Sequence, residues 1–393
     1  MLSRRSNFHL IQTCFCFLSQ GFLTLARMSS RVTPRGQIKE TPPQISVQPA
    51  TNHGSLVESS QTEENVNEAL LLAIESTYNP VLKVMKLLGM YYGDTTFGHL
   101  AHSSARRTKH NYTHGFYYAQ CFYCGLVVAG LWFNFVMPLV SILYGGDFFL
   151  LIMFVSWCVL VALNATTCLI LLPLTNARKS RFMSFLRKAI AIQTDAVNLK
   201  MVKSKARVYL ILFCILFLAA VTGAFLTTLA LNISLGNFEP WNVWFGFRVT
   251  SMLFLVFGCG VWLLSFPFFC ITCLILEALF DDLHKRTASL HSRPMTVATL
   301  RREHHKLCKV VESADSVLSP LVFEAVAFFI PVICFNFYQA VVTFKREELT
   351  FVFLIADLFW LLTSAALLAI TMLFGSRVHE KVKLTNQETN IQW

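Results

Sequence analysis

Six times along this chain of 393 residues an apolar run recurs, each of about 20 residues or more and so long enough to cross a hydrocarbon core of roughly 30 Å. The runs are Tyr117–Leu143, Asp147–Leu174, Val208–Leu231, Thr250–Ala278, Val317–Thr343 and Thr350–Gly375. Most carry no ionised residue in their central turns, and the third carries none at all. Lipid offers the backbone no hydrogen-bond partner, so runs this long must be helices. With 55% hydrophobic and only 14% charged residues, the chain is too apolar for a soluble domain of its length. These features predict an all-α fold, a polytopic transmembrane helix bundle.

The formal charge of +11 is unevenly placed. Of the 33 Lys and Arg residues, 30 lie before the first run, in 175–207, in 279–316 or after Gly375. Only Arg248, Lys345 and Arg346 fall in the alternate connections. Basic residues accumulate on the cytoplasmic side of membrane proteins, which puts the N-terminus, both long loops and the C-terminus inside. No basic-aromatic module accompanies the charge, so nucleic acid is not an expected partner. None of the 12 cysteines falls in a connection placed outside, so no extracellular disulfide is available. The CxxC pairs Cys121/Cys124 and Cys270/Cys273 lie inside spans and read as small packing residues rather than zinc or redox sites.

Ahead of the bundle, Arg4 and Arg5 precede a moderately apolar stretch, Phe8–Ala26. It reads as a membrane-surface segment, acylated at Cys14 or Cys16, with a seventh span at 8–26 or a cleaved signal left open. Met28 offers an alternative start. Residues 28–64 are rich in Ser, Thr, Pro, Gln and Glu and read as a disordered tail. From 65 to 116 the apolar residues Val66, Leu70, Ile74, Val81, Val84 and Leu88 predict a pair of amphipathic juxtamembrane helices interrupted at Pro80. The bundle then occupies 117–381, followed by a short tail, 382–393. Within it, the stripes Leu300–Leu307–Val310–Ala314–Val317–Leu321 and Phe182–Phe185–Ile190–Val197–Met201 carry the helices into the cytoplasm. Of three sequons, Asn111 lies inside and Asn164 within a span, leaving Asn232 as the expected glycosylation site.

No catalytic, metal-binding or cofactor motif is present, so neither an enzyme nor a cofactor is expected. His304 and His305 read as part of a solvated helix face. Polar groups inside spans are more informative, because they are costly in lipid and face a cavity or partner. Glu324 lies near the inner end of the fifth span. Asp357, Trp360, Asn336, Tyr338 and Gln339 share the outward-facing half of the bundle, with Trp262 at a similar or deeper level. An aromatic lining with one carboxylate and a few amides suits a small-molecule ligand. The same groups also serve as interhelical hydrogen bonds in many bundles.

Several segments then resemble one family, the insect gustatory-receptor-like chemoreceptors and their nematode relatives. The run 307–319, LCKVVESADSVLS, continuing from Pro320 to Tyr338, is similar to that family's passage from its cytoplasmic loop into the fifth span. Ser319 and Tyr338 match its recurrent Ser and Tyr. Arg377 to Lys381, RVHEK, resembles the end of its sixth span, and NPVLKVMKLLG at 79–89 resembles its segment ahead of the first. The likeness covers roughly residues 75–381. It implies a chemosensory receptor of the neuronal plasma membrane, a ligand-gated cation-channel subunit working as a homo- or hetero-oligomer, a tetramer in that family. Asp357, Trp360, Tyr338, Asn336 and Trp262 are its expected ligand contacts. A serpentine receptor coupled to a G protein is the alternative if 8–26 spans, and a secondary transporter is a third reading. The family's final helix, with its Thr-Tyr and Gln-Phe signature, has no counterpart before Trp393, which reads as a shortened form or an incomplete gene model.

Overall fold

The computed structural model describes residues 55–92, 114–144, 148–172, 180–192, 196–231, 244–288, 297–344 and 351–391. All but the first two of these residues belong to one compact unit, Val57–Trp393. Among them there is no strand. Eight helices follow in order: α1 Ser55–Leu87, α2 His114–Leu143, α3 Phe148–Leu171, α4 Arg181–Ile190, α5 Ala196–Leu231, α6 Phe245–Ala288, α7 Val297–Phe344 and α8 Phe351–Ile391. Six of them (α2, α3, α5, α6, α7 and α8) are long and apolar enough to cross a membrane, as the six apolar runs require. The segment 8–26, Cys14, Cys16, Asn111 and Asn232 lie outside the described residues, as do the side chains of Gln339 and Asp357.

Helix α1 departs from the expected pair. It starts at Ser55 rather than near Asn65 and runs unbroken through Pro80 to Leu87. Its apolar stripe, with Leu70, Ile74, Val81 and Met85, is buried in the common core. Tyr78, wholly buried, shares a 2.8 Å hydroxyl–hydroxyl hydrogen bond with Thr272 of α6. Its ring meets Phe182 of α4 edge-on at 5.2 Å. The 3.6-residue periodicity defines an apolar face but not its partner. Here the partner is the bundle.

The end of α1 is set by Gly89, whose φ of +70° suits a residue without Cβ. Met90 N–H donates to Met85 O and Gly89 N–H to Lys86 O, the paired bonds of a Schellman cap. Side chains of α2 complete it. Gln120 Nε2 donates to the Lys86 carbonyl and Tyr123 Oη to the Leu87 carbonyl. The carbonyls that a helix terminus leaves unpaired are therefore satisfied without water.

Helix α6 is the axis of the bundle, packing against α2, α3, α5, α7 and α8. Its apolar stretch is almost wholly buried, whereas α5 turns most of its apolar surface outward. Of the two loop stripes, that at 299–321 folds as expected, continuous within α7. Ser180 caps α4, its Oγ accepting from Met183 N–H, and Phe182, Phe185 and Leu186 are buried. The loop stripe at 181–201 is split, with α4 ending at Ile190 and α5 starting at Ala196. At this end the basic residues gather in ion pairs. Lys381 of α8 meets Asp281 of α6 at 2.6 Å, and Arg286 of α6 bridges Asp282 and Glu303 of α7. We call this the basic end.

Candidate functional site

Away from the basic end, aromatic side chains from three helices converge on α6. The rings of Trp262 (α6) and Trp360 (α8) are 5.6 Å apart, close to the distance at which two indoles make direct contact. Phe329 of α7 lies 6.1 Å from Trp262 and 5.7 Å from Phe266. Phe359 meets Trp360 edge-on at 5.4 Å. One turn before Trp262, Gly258 opens a notch for Trp157 of α3. A Cβ on Gly258 would lie 2.6 Å from the Trp157 ring, so only glycine allows this approach.

The cluster is short of hydrogen-bond partners. Trp157 Nε1 and Trp262 Nε1 are both buried, and neither has a partner among the described residues. Ser364 Oγ, one turn beyond Trp360 on α8, is buried and unpartnered too. A buried donor left unpaired costs about 1–3 kcal/mol. Elsewhere the same bundle does satisfy an indole: Trp132 Nε1 donates to Thr166 Oγ1 at 3.2 Å. Unmet donors beside packed aromatic rings are groups that an incoming acceptor could meet.

The residues expected to line the site are only partly brought together. Trp262 and Trp360 are in contact. Asn336 is buried on the same α7 stripe as Phe329 and Val332, but its Nδ2 donates to the Val332 carbonyl of its own helix, 2.9 Å away. Tyr338 is half-buried and, two residues on, falls on another side of α7. Asp357 sits on α8 one turn before Trp360. Trp157, Phe329 and Ser364 were not singled out from the sequence. A lone Trp or Ser in an apolar run, or one of 36 Phe residues, carries no signal of its own. The nearest clue was Gly258, a small residue facing a large one across two helices.

A second polar feature lies nearer the basic end. Thr167 Oγ1 of α3 donates to Glu324 Oε1 of α7. The other carboxylate oxygen is buried with no partner among the described residues. This interhelical bond explains how an acidic residue is held within a span. The ten described cysteines are all free.

Taken together, six spanning helices packed round a buried axis, with an aromatic cluster towards one end, define a polytopic helical membrane protein. The fold is that of the insect olfactory receptor OR5 from Machilis hrabei, with a TM-score of 0.60 at 12% identity. That match covers 77% of this chain and 79% of the other. The same receptor in complex with eugenol gives 0.53 at 11% identity, over 79% and 88%. Residues 224–389 match the model of the Trehalose receptor family. None of the curated proteins is similar to the chain in sequence. The sequence match over the last three spanning helices and the shared fold support the gustatory-receptor-like chemoreceptor family, and with it a chemosensory receptor.

Proposed function

We propose that the chain is a ligand-gated cation-channel subunit of the neuronal plasma membrane, with its N-terminus in the cytoplasm and its ligand site in the aromatic cluster. The 30 basic residues on one side of the spans support the orientation. Family resemblance supports assembly as a tetramer. The observation that carries the site is the pair of buried, unpartnered indole N–H groups of Trp157 and Trp262 beside the Trp262–Trp360 contact. Such a site takes a flat, mostly apolar small molecule bearing a hydrogen-bond acceptor. Trp262 and Trp360 stack on it, and Asn336, Asp357 and Tyr338 are its proposed polar contacts.

The matching family is named for trehalose, and one solved neighbour holds eugenol. For this chain the aromatic compound is the better model. A disaccharide brings many hydroxyls, and each one buried without a partner costs about 1–3 kcal/mol. The test is a cation-current assay in cells expressing the chain with a family partner subunit, against aromatic acceptors and sugars. Trp360→Leu removes the stacking face, and Asp357→Asn removes charge while keeping shape. Both should reach the surface normally and lose about ten-fold or more in sensitivity, the size of one lost 1.4 kcal/mol contact. Unchanged responses from both normally expressed variants would exclude this site.

A further inference from the structure

Between α5, α6 and α8, nearer the basic end than the aromatic cluster, lies a cavity of ≈ 30 Å³. Leu212 and Leu216 of α5, Leu263 and Pro267 of α6 and Leu367 of α8 line it, with Tyr209 at its basic end. A void of this size is large enough for water, but water needs two to four polar partners. This lining is almost entirely apolar. Leu212 is 41% exposed on the outer surface of α5, so the cavity opens sideways where lipid surrounds the bundle. Hydrocarbon is the one filler that reaches it at that depth.

The rim facing the basic end is built differently. The Tyr209 ring meets Phe374 edge-on at 5.6 Å, and the Arg377 guanidinium lies 5.8 Å from the centre of that same Phe374 ring. Arg377 is exposed and forms no ion pair among the described residues. Lys205, exposed, stands one turn before Tyr209 on the same face of α5. Glu277, the carboxylate within electrostatic reach of Tyr209, also feels Lys381. The apolar slot thus ends at two cations without an ion pair among the described residues and an aromatic girdle at the level of lipid headgroups. Basic pockets between spans on the cytoplasmic side are suited to anionic headgroups.

We infer that this groove is a binding site for an anionic glycerophospholipid of the basic-end leaflet, one acyl chain entering past Leu212 and its headgroup held by Arg377 and Lys205. The lipid would wedge between α8, which carries Trp360, and α5. The site is independent of which ligand the aromatic cluster takes.

The full chain reconstituted with a diazirine-tagged phosphatidylserine, and separately with the matching phosphatidylcholine, tests this by photolabelling and peptide mapping. Label should concentrate on 209–216 and 263–270, with the anionic probe ahead by about five-fold for each basic residue engaged. Leu367→Trp fills the cavity from inside, and Leu212→Trp blocks its mouth from a lipid-facing position that does not threaten folding. Either should abolish the focused label in protein that remains monodisperse. Arg377→Gln should keep the label and lower the anionic preference. Equal labelling by both probes would overturn the proposal. So would label spread evenly over the lipid-facing Ile211, Ile215 and Leu218 and absent from 263–270, label that survives both tryptophan variants, or a groove that takes no label.

Discussion

The two ends of α6 are built to different standards. From Phe268 to Leu283 nearly every side chain is buried, and Thr272 pairs with Tyr78, Asp281 with Lys381, and Asp282 with Arg286, which also reaches Glu303. Aromatic rings from α1, α4 and α6 lock together round Tyr78, Phe182 and Phe268. One or two turns further from the basic end, round Trp262, ring packing persists but hydrogen bonding does not. Trp157, Trp262 and Ser364 each bury an unmet polar atom. The first region is largely paired, Asn79 Oδ1 beside Tyr78 and Glu324 Oε2 being exceptions, whereas none of the three polar atoms of the second has a partner among the described residues. A bundle selected for stability alone would satisfy both, since an indole N–H can be capped as readily as Trp132 is by Thr166. Under the proposed function, the difference separates what holds the bundle together from what it offers a ligand.

The sharpest way to break that comparison is to damage the largely paired end. Phe182 is wholly buried and touches Tyr78, Phe185 and Phe268. Phe182→Ala should cost about 3–5 kcal/mol, seen as a large loss of thermal stability in detergent and of surface expression. A mild effect would mean that α4 is an appendage and not part of the core. Tyr78→Phe is subtler. It removes one hydrogen bond, while Thr272 Oγ1 keeps its bond to the Phe268 carbonyl, so the expected loss is about 1 kcal/mol. The measurement is a melting curve of the purified chain, and no shift would show that the bond between α1 and α6 is idle.

How far the sequence reveals this division differs between its parts. The six spans are legible because a long uncharged run has one fate in lipid, whatever its neighbours. That Trp262 and Trp360 lie at similar depth is legible too, because topology fixes the level of each residue, but that α6 and α8 pack together there is not. What α1 packs against is not, since amphipathicity names a face and leaves its partner open. Nor is the bond of Asn336 to its own backbone, which depends on a side-chain rotamer chosen by the packing around it. Unmet hydrogen bonds such as that of Trp157 leave no trace in sequence at all. They are absences that only three-dimensional packing creates.

A smaller effect is expected at the rim of the largely paired end. Lys381 and Asp281 are joined at 2.6 Å, but each side chain is more than a third exposed. Exposed pairs contribute about 0.2–1 kcal/mol and are screened by salt. Lys381→Met should therefore lower the melting temperature slightly at low ionic strength and not at all in molar salt. A large, salt-independent loss would show that this pair is a keystone between α6 and α8.

The smallest change in stability should come from the region with the unmet donors, and there it should coincide with the largest change in response. Trp262→Phe keeps an aromatic ring against Phe329 and Trp360 but removes the indole N–H. The smaller ring gives up some packing. Against that, the variant no longer buries an unpartnered donor, a relief of about 1–3 kcal/mol. The two terms oppose each other, so the melting temperature should stay within the equivalent of about 1 kcal/mol of the parent. If the N–H is reserved for a ligand acceptor, sensitivity to acceptor-bearing aromatics should fall by about ten-fold or more, while apolar aromatics of the same shape lose far less. Trp132→Phe supplies the contrast, because its N–H is already spent on Thr166. That change should cost about 1 kcal/mol through the lost hydrogen bond, Thr166 Oγ1 keeping its bond to the Ala162 carbonyl, and leave ligand preference unaltered. If Trp262→Phe instead melts early and keeps its ligand preference, the indole belongs to the scaffold, and the contrast between the two ends of α6 is one of packing alone.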